Sequence, residues 1–155
     1  MQKQQIVPMR NFSVITTVRL ALFRNCRIPS YPVSRIKLSS ILHTGYHFEV
    51  IPDIKPLSCS FEETEKEADA GTYFEKKLKF ELSKLRPELS ALLNRYAHNR
   101  VVAVITDANG YSWLVWPLIR TIKRSLPGTA KKANLTEVSF SGKGIWESPC
   151  VEIDS

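Results

Sequence analysis

The stretch from Val101 to Trp116 constrains this chain most, because it has the pattern of two strands joined by a tight turn. It reads VVAVITDANGYSWLVW. β-Branched residues favour an extended backbone in the first strand. Asp107, Asn109 and Gly110 supply the turn, since Asn-Gly readily adopts the positive φ angles of a hairpin reversal. A hairpin this apolar must be covered, either by its own domain or by a neighbouring copy of the chain.

Length and composition predict one domain with a proper core, since the chain has 155 residues of which 43% are hydrophobic. No apolar run approaches the roughly 20 residues needed to cross a bilayer, so no membrane partner is expected. The cysteines Cys26, Cys59 and Cys150 are far apart and lack metal-like spacing. They predict packing residues in a reducing compartment.

The formal net charge of +7 lies entirely in the first third of the chain. Seven Lys and Arg residues precede the first acidic residue, Glu49, and after it the charges balance. Such an excess is typical of a surface facing phosphate or an acidic neighbour, and also of a mitochondrial presequence. Strand-like patterns at 15–23 and 34–42 favour the first interpretation. We therefore predict an N-terminal arm over residues 1–12 and a single β-rich domain over 13–155.

Alternation of apolar and polar residues predicts several further strands. The clearest is Thr72–Leu82, a half-buried strand with charges facing outward, in which Lys76 is the one polar residue on the apolar face. The other predicted strands are Ser13–Phe23, Arg35–Ile41, Tyr46–Ile51, Cys59–Phe61, Leu135–Phe140 and an edge strand within Trp146–Ile153.

One helix is predicted, over about residues 87–97, with Pro87 at its first position and Glu88 at the positive end of its dipole. Long loops are expected at 52–71 and 117–134, although the second segment could also extend the hairpin. The predicted fold class is therefore α+β, mainly β: an antiparallel barrel or sandwich with one flanking helix.

No motif in the chain predicts catalysis, so a non-enzymatic protein without cofactor or metal is expected. His43 and His47 lie four apart, but Gly45 between them indicates extended backbone rather than a helix. Asp107 and Asn109 resemble the start of a calcium loop, yet Leu118 occupies the position that requires a glutamate.

Two charged sets are the candidate sites instead. The side chains of each set could equally be solvated, or the basic set of one subunit could pair with the acidic set of the next. The candidate subunit-interface or DNA-facing residues are Arg19, Arg24, Arg27, Arg35, Lys37, Arg120, Lys123, Arg124, Lys131 and Lys132. The candidate acidic docking loop contains Glu62, Glu63, Glu65, Glu67 and Asp69.

Several sequence blocks beyond residue 70 follow one another in a specific order. They are GTYFEKKLKFEL at 71–82, RPEL at 86–89, VVAVITDANGYSWLV at 101–115, Pro-Gly at 127–128, Asn134 with VSFSG at 138–142, and Ser-Pro at 148–149. In these blocks the segment from about Gly71 to Val151 resembles a group of uncharacterised phage and prophage proteins that are virion components of the tail or neck. The very basic first third departs from ordinary members.

The resemblance implies a structural subunit of a phage tail tube or head–tail connector, assembled into rings through loops and the N-terminal arm. Its partners would be copies of itself, other tail or neck proteins and, through non-specific contact, packaged DNA. It would be located in the virion, and in the host cytoplasm during assembly. The alternatives are a small OB-like nucleic-acid-binding module, which would use Tyr111 and Trp113 near Arg120, and an organellar protein with a presequence.

Overall fold

The computed structural model describes residues 14–28, 32–82, 87–125 and 135–153. It contains nine strands and one α-helix within these ranges. The strands are β1 (Ile15–Leu22), β2 (Arg35–Lys37), β3 (Glu49–Val50), β4 (Ser60–Ala68), β5 (Gly71–Leu82), β6 (Val101–Asp107), β7 (Ser112–Ser125), β8 (Leu135–Gly144) and β9 (Cys150–Glu152), and the helix is α1 (Pro87–Asn94). The predicted N-terminal arm, residues 1–12, lies outside the described residues.

The main sheet is antiparallel and has the strand order β3-β1-β6-β7-β8-β5-β4. Strand β9 pairs with β7, and β2 adds to β9 in a short parallel pair. Within the described ranges the path does not close, so β3 and β4 form its two edges. The predicted fold class, α+β and mainly β with one helix, is confirmed.

Strand β7 belongs to both halves of the sheet. Its first half pairs with β6 and β9, and its second half, from Ile119 onward, pairs with β8. The change occurs at Pro117, which lacks a backbone N–H to donate, next to a register shift opposite Val101–Ala103. The strand therefore turns from one half-sheet into the other without a connecting loop.

The larger core lies inside the curved sheet and is closed by α1. Strand β5 contributes Leu78, Phe80 and Leu82, as its alternation predicts, while the helix contributes Leu89 and Leu93. Val138 and Phe140 of the neighbouring strand β8 lie beside them. Strands β1, β6 and β7 complete this core with Val18, Leu20, Ala103, Ile105, Val115 and Leu118.

A second, smaller core covers the other face of β6. Val102, Val104 and Trp116 pack there against the segment that runs from Phe23 to Phe48. Each residue from Val101 to Ile105 is consequently fully buried. The apolar hairpin is therefore covered by its own domain, and the turn lies at Asp107–Gly110 as predicted.

The predicted long loop at 52–71 is wrong in its second half, because Ser60–Ala68 is strand β4. In the 117–134 segment β7 continues to Ser125, as the alternative prediction of a hairpin extension has it, and residues 126–134 lie outside the described residues. Charge misled the prediction in β4: an edge strand exposes most of its side chains, so a run of carboxylates suits it. One lysine of β5, Lys76, pairs with Glu63 of this strand.

Three predicted elements are shorter than expected. The second strand ends at Lys37 and passes into a 3-10 helix over Leu38–Ser40, and the third is reduced to Glu49–Val50. The α-helix ends at Asn94, and turns continue to His98, which has a positive φ of 62°. Tyr96 is still buried, because the turn keeps it against the core.

We predict that Gly142→Ala destabilises the protein. A Cβ atom at this position of β8 would lie 1.9 Å from the carbonyl oxygen of Pro117, and both groups are backbone. Relieving the clash must shift a strand, which costs about 1–3 kcal/mol or more. Urea denaturation measures the loss, with Ser141→Ala, an exposed neighbour, as the control. Equal midpoints for the two variants would contradict the close approach.

Candidate functional site

The sheet places the two charged hairpins at opposite ends of strand β5. The β4–β5 hairpin turns next to Gly71, and β5 pairs with β8 from Phe74 opposite Gly144 to Leu82 opposite Thr136. Strands β7 and β8 remain paired up to Ser125 opposite Leu135, and this end of the pair lies at the Leu82 end of β5. Twelve extended residues separate the ends by roughly 36 Å. We call the end at the β4–β5 turn the acidic end, and the end at Ser125 and Leu135 the basic end. The two ends face in opposite directions.

The acidic end is a projecting two-stranded hairpin. Pairing between β5 and β8 stops at Phe74, whereas β4 and β5 remain paired as far as Ala68 and Gly71. From Glu62 to Asp69 there are five carboxylates and one lysine. The lysine, Lys66, binds Glu75 at 3.2 Å, and this hydrogen bond lowers the pKa of the Glu75 carboxyl. Glu65 and Glu67 are exposed.

The predicted docking loop is thus the outer strand of a hairpin, and Glu63 does not belong to its exposed surface. The Glu63 carboxylate accepts hydrogen bonds from the backbone N–H and the hydroxyl of Ser148, at 3.1 and 2.7 Å. Its Oε2 also lies 3.6 Å from the ammonium of Lys76. The Glu63 carboxylate is therefore bound within the domain. The acidic end consists of the remaining carboxylates, Glu62, Glu65, Glu67 and Asp69.

The basic end is the place where β7 ends and β8 begins. The sequence from Ile119 to Thr136 contains five basic residues and no acidic one. Lys123 and Arg124 are near the end of β7, where Lys123 lies opposite Glu137 in register, while Lys131 and Lys132 lie outside the described residues. Arg120 is different, because its guanidinium donates to the carbonyl of Leu93 at 2.8 Å and secures the end of α1.

The basic residues of the first third fall into separate places. Arg27, Arg35 and Lys37 line one shallow groove of about 470 Å³, where Arg35 pairs with Glu152 at 3.3 Å. Arg24 is exposed on the 3-10 turn after β1. Arg19 lies elsewhere, donating to the Thr106 hydroxyl at 3.2 Å. The structure therefore does not gather the whole set into one surface.

The turn residues Asp107, Asn109 and Gly110 have a structural explanation. The Asp107 carboxylate accepts the backbone N–H groups of Asn109 and Tyr111, at 2.9 and 3.0 Å. Gly110 has a φ of +88°, which glycine adopts without strain. Among the described residues no cluster of three or more metal-ligating side chains occurs. The described part of the chain also has no helix long and apolar enough to span a bilayer.

Lys76 is a fully buried lysine, which explains the break in the alternation of β5. Its ammonium pairs with Glu63, donates to the carbonyl oxygen of Trp116 at 3.3 Å and lies 4.8 Å from the centre of the Trp116 ring. Burial lowers the pKa of Lys76, and the charge of Glu63 opposes that shift. Because Glu63 also binds Ser148, this group ties β4, β5, β7 and the segment before β9 together.

An aromatic cleft of about 670 Å³ opens beside this buried pair. We use the name for the space lined by the rings of Phe23, Tyr73, Trp116 and Trp146 and by the cations Arg100 and Lys143. Sequence reasoning missed this site, because its rings come from four separate segments and Trp116 belongs to an apolar run. The pairing of cations with the rings of Phe23, Tyr73 and Trp116 is visible only in the folded structure.

The nucleic-acid site predicted at Tyr111, Trp113 and Arg120 is only partly assembled. The first two rings lie 6.2 Å apart, and Tyr111 is 59% exposed. Arg120 is bound to the helix end, however, and is only partly exposed. The aromatic cleft brings more rings and cations together than the site predicted at Tyr111, Trp113 and Arg120.

The cysteines behave as the composition suggests. Cys26, Cys59 and Cys150 are free, and burial raises the pKa of the Cys26 and Cys59 thiols to about 12. At neutral pH these two thiols are protonated, and a protonated thiol is a poor nucleophile.

Comparison with protein-family models, with curated proteins and with solved structures finds no match to this chain.

We predict that Glu63→Gln destabilises the protein by about 3 kcal/mol at neutral pH, because it leaves the buried ammonium of Lys76 unpaired. Lys76 then has a still lower pKa in the folded state. Below the ordinary lysine pKa the unfolded chain binds more protons than the folded chain, so stability rises with pH. The deficit of the variant should therefore shrink between pH 7 and pH 10.

Urea denaturation at both pH values tests this, with Glu62→Gln, an exposed carboxylate next in sequence, as the control. The double variant Glu63→Gln/Lys76→Met should recover most of the loss, since no buried charge remains. A deficit that is the same at both pH values, or no recovery in the double variant, would contradict the role of the ion pair.

Proposed function

We propose that this chain is a structural subunit of a phage tail tube or head–tail connector that assembles head to tail into rings. The observation that carries the proposal is the opposite charge of the two hairpin ends. A contact between the acidic end of one copy and the basic end of the next joins two different surfaces, and such heterologous contacts close into rings when the rotation between copies allows it.

The shape of the subunit supports this use. The inner strand β6 is buried on both faces, whereas the acidic hairpin projects beyond β8. Edge strand β4 has no partner on its outer side among the described residues and is strongly charged. Charged edges resist uncontrolled strand addition, so electrostatic docking between hairpins selects the partner. The resemblance beyond residue 70 supplies the virion setting.

The organellar alternative has less support. Strand β1 lies inside the sheet between β3 and β6, and Val18 and Leu20 are fully buried. Cleavage of a presequence beyond residue 30 would remove this strand from the core. A structural subunit of a tail tube or connector would retain strand β1.

We expect reversal of the charge at either end to prevent association. Glu65→Lys/Glu67→Lys alters the acidic end, and Lys131→Glu/Lys132→Glu reverses the charge of the sequence between β7 and β8. Each pair brings like charges together, so the concentration needed for half-maximal association should rise at least tenfold. Light scattering after size-exclusion chromatography and negative-stain electron microscopy measure it, and raising the salt to about 1 M should weaken association of the original chain because it screens exposed charges.

The variant with all four substitutions is the internal control. It contains every change, but its ends again carry opposite charges, so rings should reappear. An equimolar mixture of the two single-end variants should also associate. A chain that stays monomeric at every concentration and salt, or a four-fold variant that fails to recover although it is folded, would rule out this mode of assembly.

A further inference from the structure

The aromatic cleft has a positive charge that the surrounding residues do not neutralise. Lys143 lies 5.3 Å from the centre of the Tyr73 ring, and Arg100 lies 6.0 Å from that of Phe23. Neither cation has a carboxylate within ion-pair distance among the described residues. No acidic residue lines the cleft. The cleft therefore offers two free cations beside apolar, aromatic walls.

The deepest wall is held in place before any ligand arrives. Trp116 is only 9% exposed, and the buried ammonium of Lys76 contacts both its ring and its carbonyl oxygen. Gly144 lets this wall approach β8 closely, since a Cβ there would lie 3.3 Å from the Trp116 oxygen. A preformed wall lowers the ordering cost of binding. Trp146 lies on the segment after β8 and is half-buried.

We propose that the aromatic cleft binds a nucleotide, with the base against the aromatic rings and the phosphate paired with Arg100 and Lys143. Both features are needed for this assignment. An uncharged apolar ligand would leave two cations beside it without counter-ions, and a simple anion would make no use of the rings. Stacking on aromatic side chains next to cations is how proteins bind single-stranded nucleic acid without base readout. The volume is within the range of ligand sites.

The cleft lies within one chain, so this inference does not depend on assembly into rings. It also differs from the proposed DNA-facing basic residues, since neither Arg100 nor Lys143 is among them. The nucleotide can come from a single-stranded nucleic acid or be a free mononucleotide, because both present the same base and phosphate. A base in a duplex is excluded, since its faces are already stacked.

Binding is measured with the full chain and a fluorescein-labelled 12-residue oligo-dT by fluorescence anisotropy, and with thymidine 5′-monophosphate by quenching of tryptophan fluorescence. We expect Trp146→Ala to weaken oligonucleotide binding about tenfold or more, as loss of one stacked base predicts. Trp146→Phe keeps a ring and should bind within threefold of the original chain. Tyr111→Ala removes an exposed ring outside the cleft and should have no effect.

The cations are tested by salt dependence. Arg100→Gln/Lys143→Gln should weaken binding and reduce the slope of log affinity against log salt by about 0.7, which corresponds to one neutralised phosphate on a single strand. Lys55→Gln/Lys79→Gln removes the same charge outside the cleft and outside the candidate DNA-facing residues, and should leave the slope nearly unchanged. Urea midpoints for all variants separate loss of binding from loss of folding.

Comparison of the two ligands distinguishes a single-stranded nucleic acid from a free mononucleotide as the source of the bound nucleotide. Quenching by the monophosphate at an affinity similar to that of oligo-dT indicates a free nucleotide, and much tighter binding of oligo-dT indicates a strand. Equal binding of Trp146→Ala and Tyr111→Ala would overturn the proposal. So would equal binding of a 12-base-pair duplex, or displacement of oligo-dT by inorganic phosphate as effective as that by the nucleotide.

Discussion

Burial of strand β6 on both faces is the constraint on which the rest of the structure depends. An apolar strand of this kind needs a cover on each side, and the chain provides two different ones. The curved sheet with α1 covers one face, and the irregular segment from Phe23 to Phe48 covers the other. The first core contains the regular alternating strands, and the second gathers residues from short elements with little periodicity of their own.

Much of the architecture is predictable from local patterns. The hairpin at Asp107–Gly110, the alternation of β5 and the start of α1 at Pro87 each follow from the sequence alone. The edge strand β4 is not predictable in this way, because a row of glutamates signals exposure and not backbone conformation. Its conformation depends on pairing with β5, which places Lys77 and Lys76 opposite Glu62 and Glu63, and local reasoning does not supply that register.

The candidate sites show the same limit more sharply. Net charge indicates where cations are numerous, but not what each one contacts. Arg120 is bound to a helix carbonyl, Arg35 to a carboxylate, and Lys76 is buried, whereas Arg100 and Lys143 face an aromatic cleft. The environment of each cation is determined by tertiary contacts between segments far apart in the chain. The placement of the two charged segments at opposite ends of β5 is likewise a product of strand order. The acidic segment directly precedes β5 in the chain, and the basic segment follows it after β6 and most of β7.

The continuity of β7 has a consequence for how the molecule responds to stress. The two half-sheets share this one strand, so neither can lose its hydrogen bonds without disturbing the other. Cooperative opening in proteins follows such shared units, and here the shared unit runs through the middle of the fold. A load applied at one hairpin is carried along a single covalent backbone to the opposite side. We therefore expect the two half-sheets to deform together along that strand.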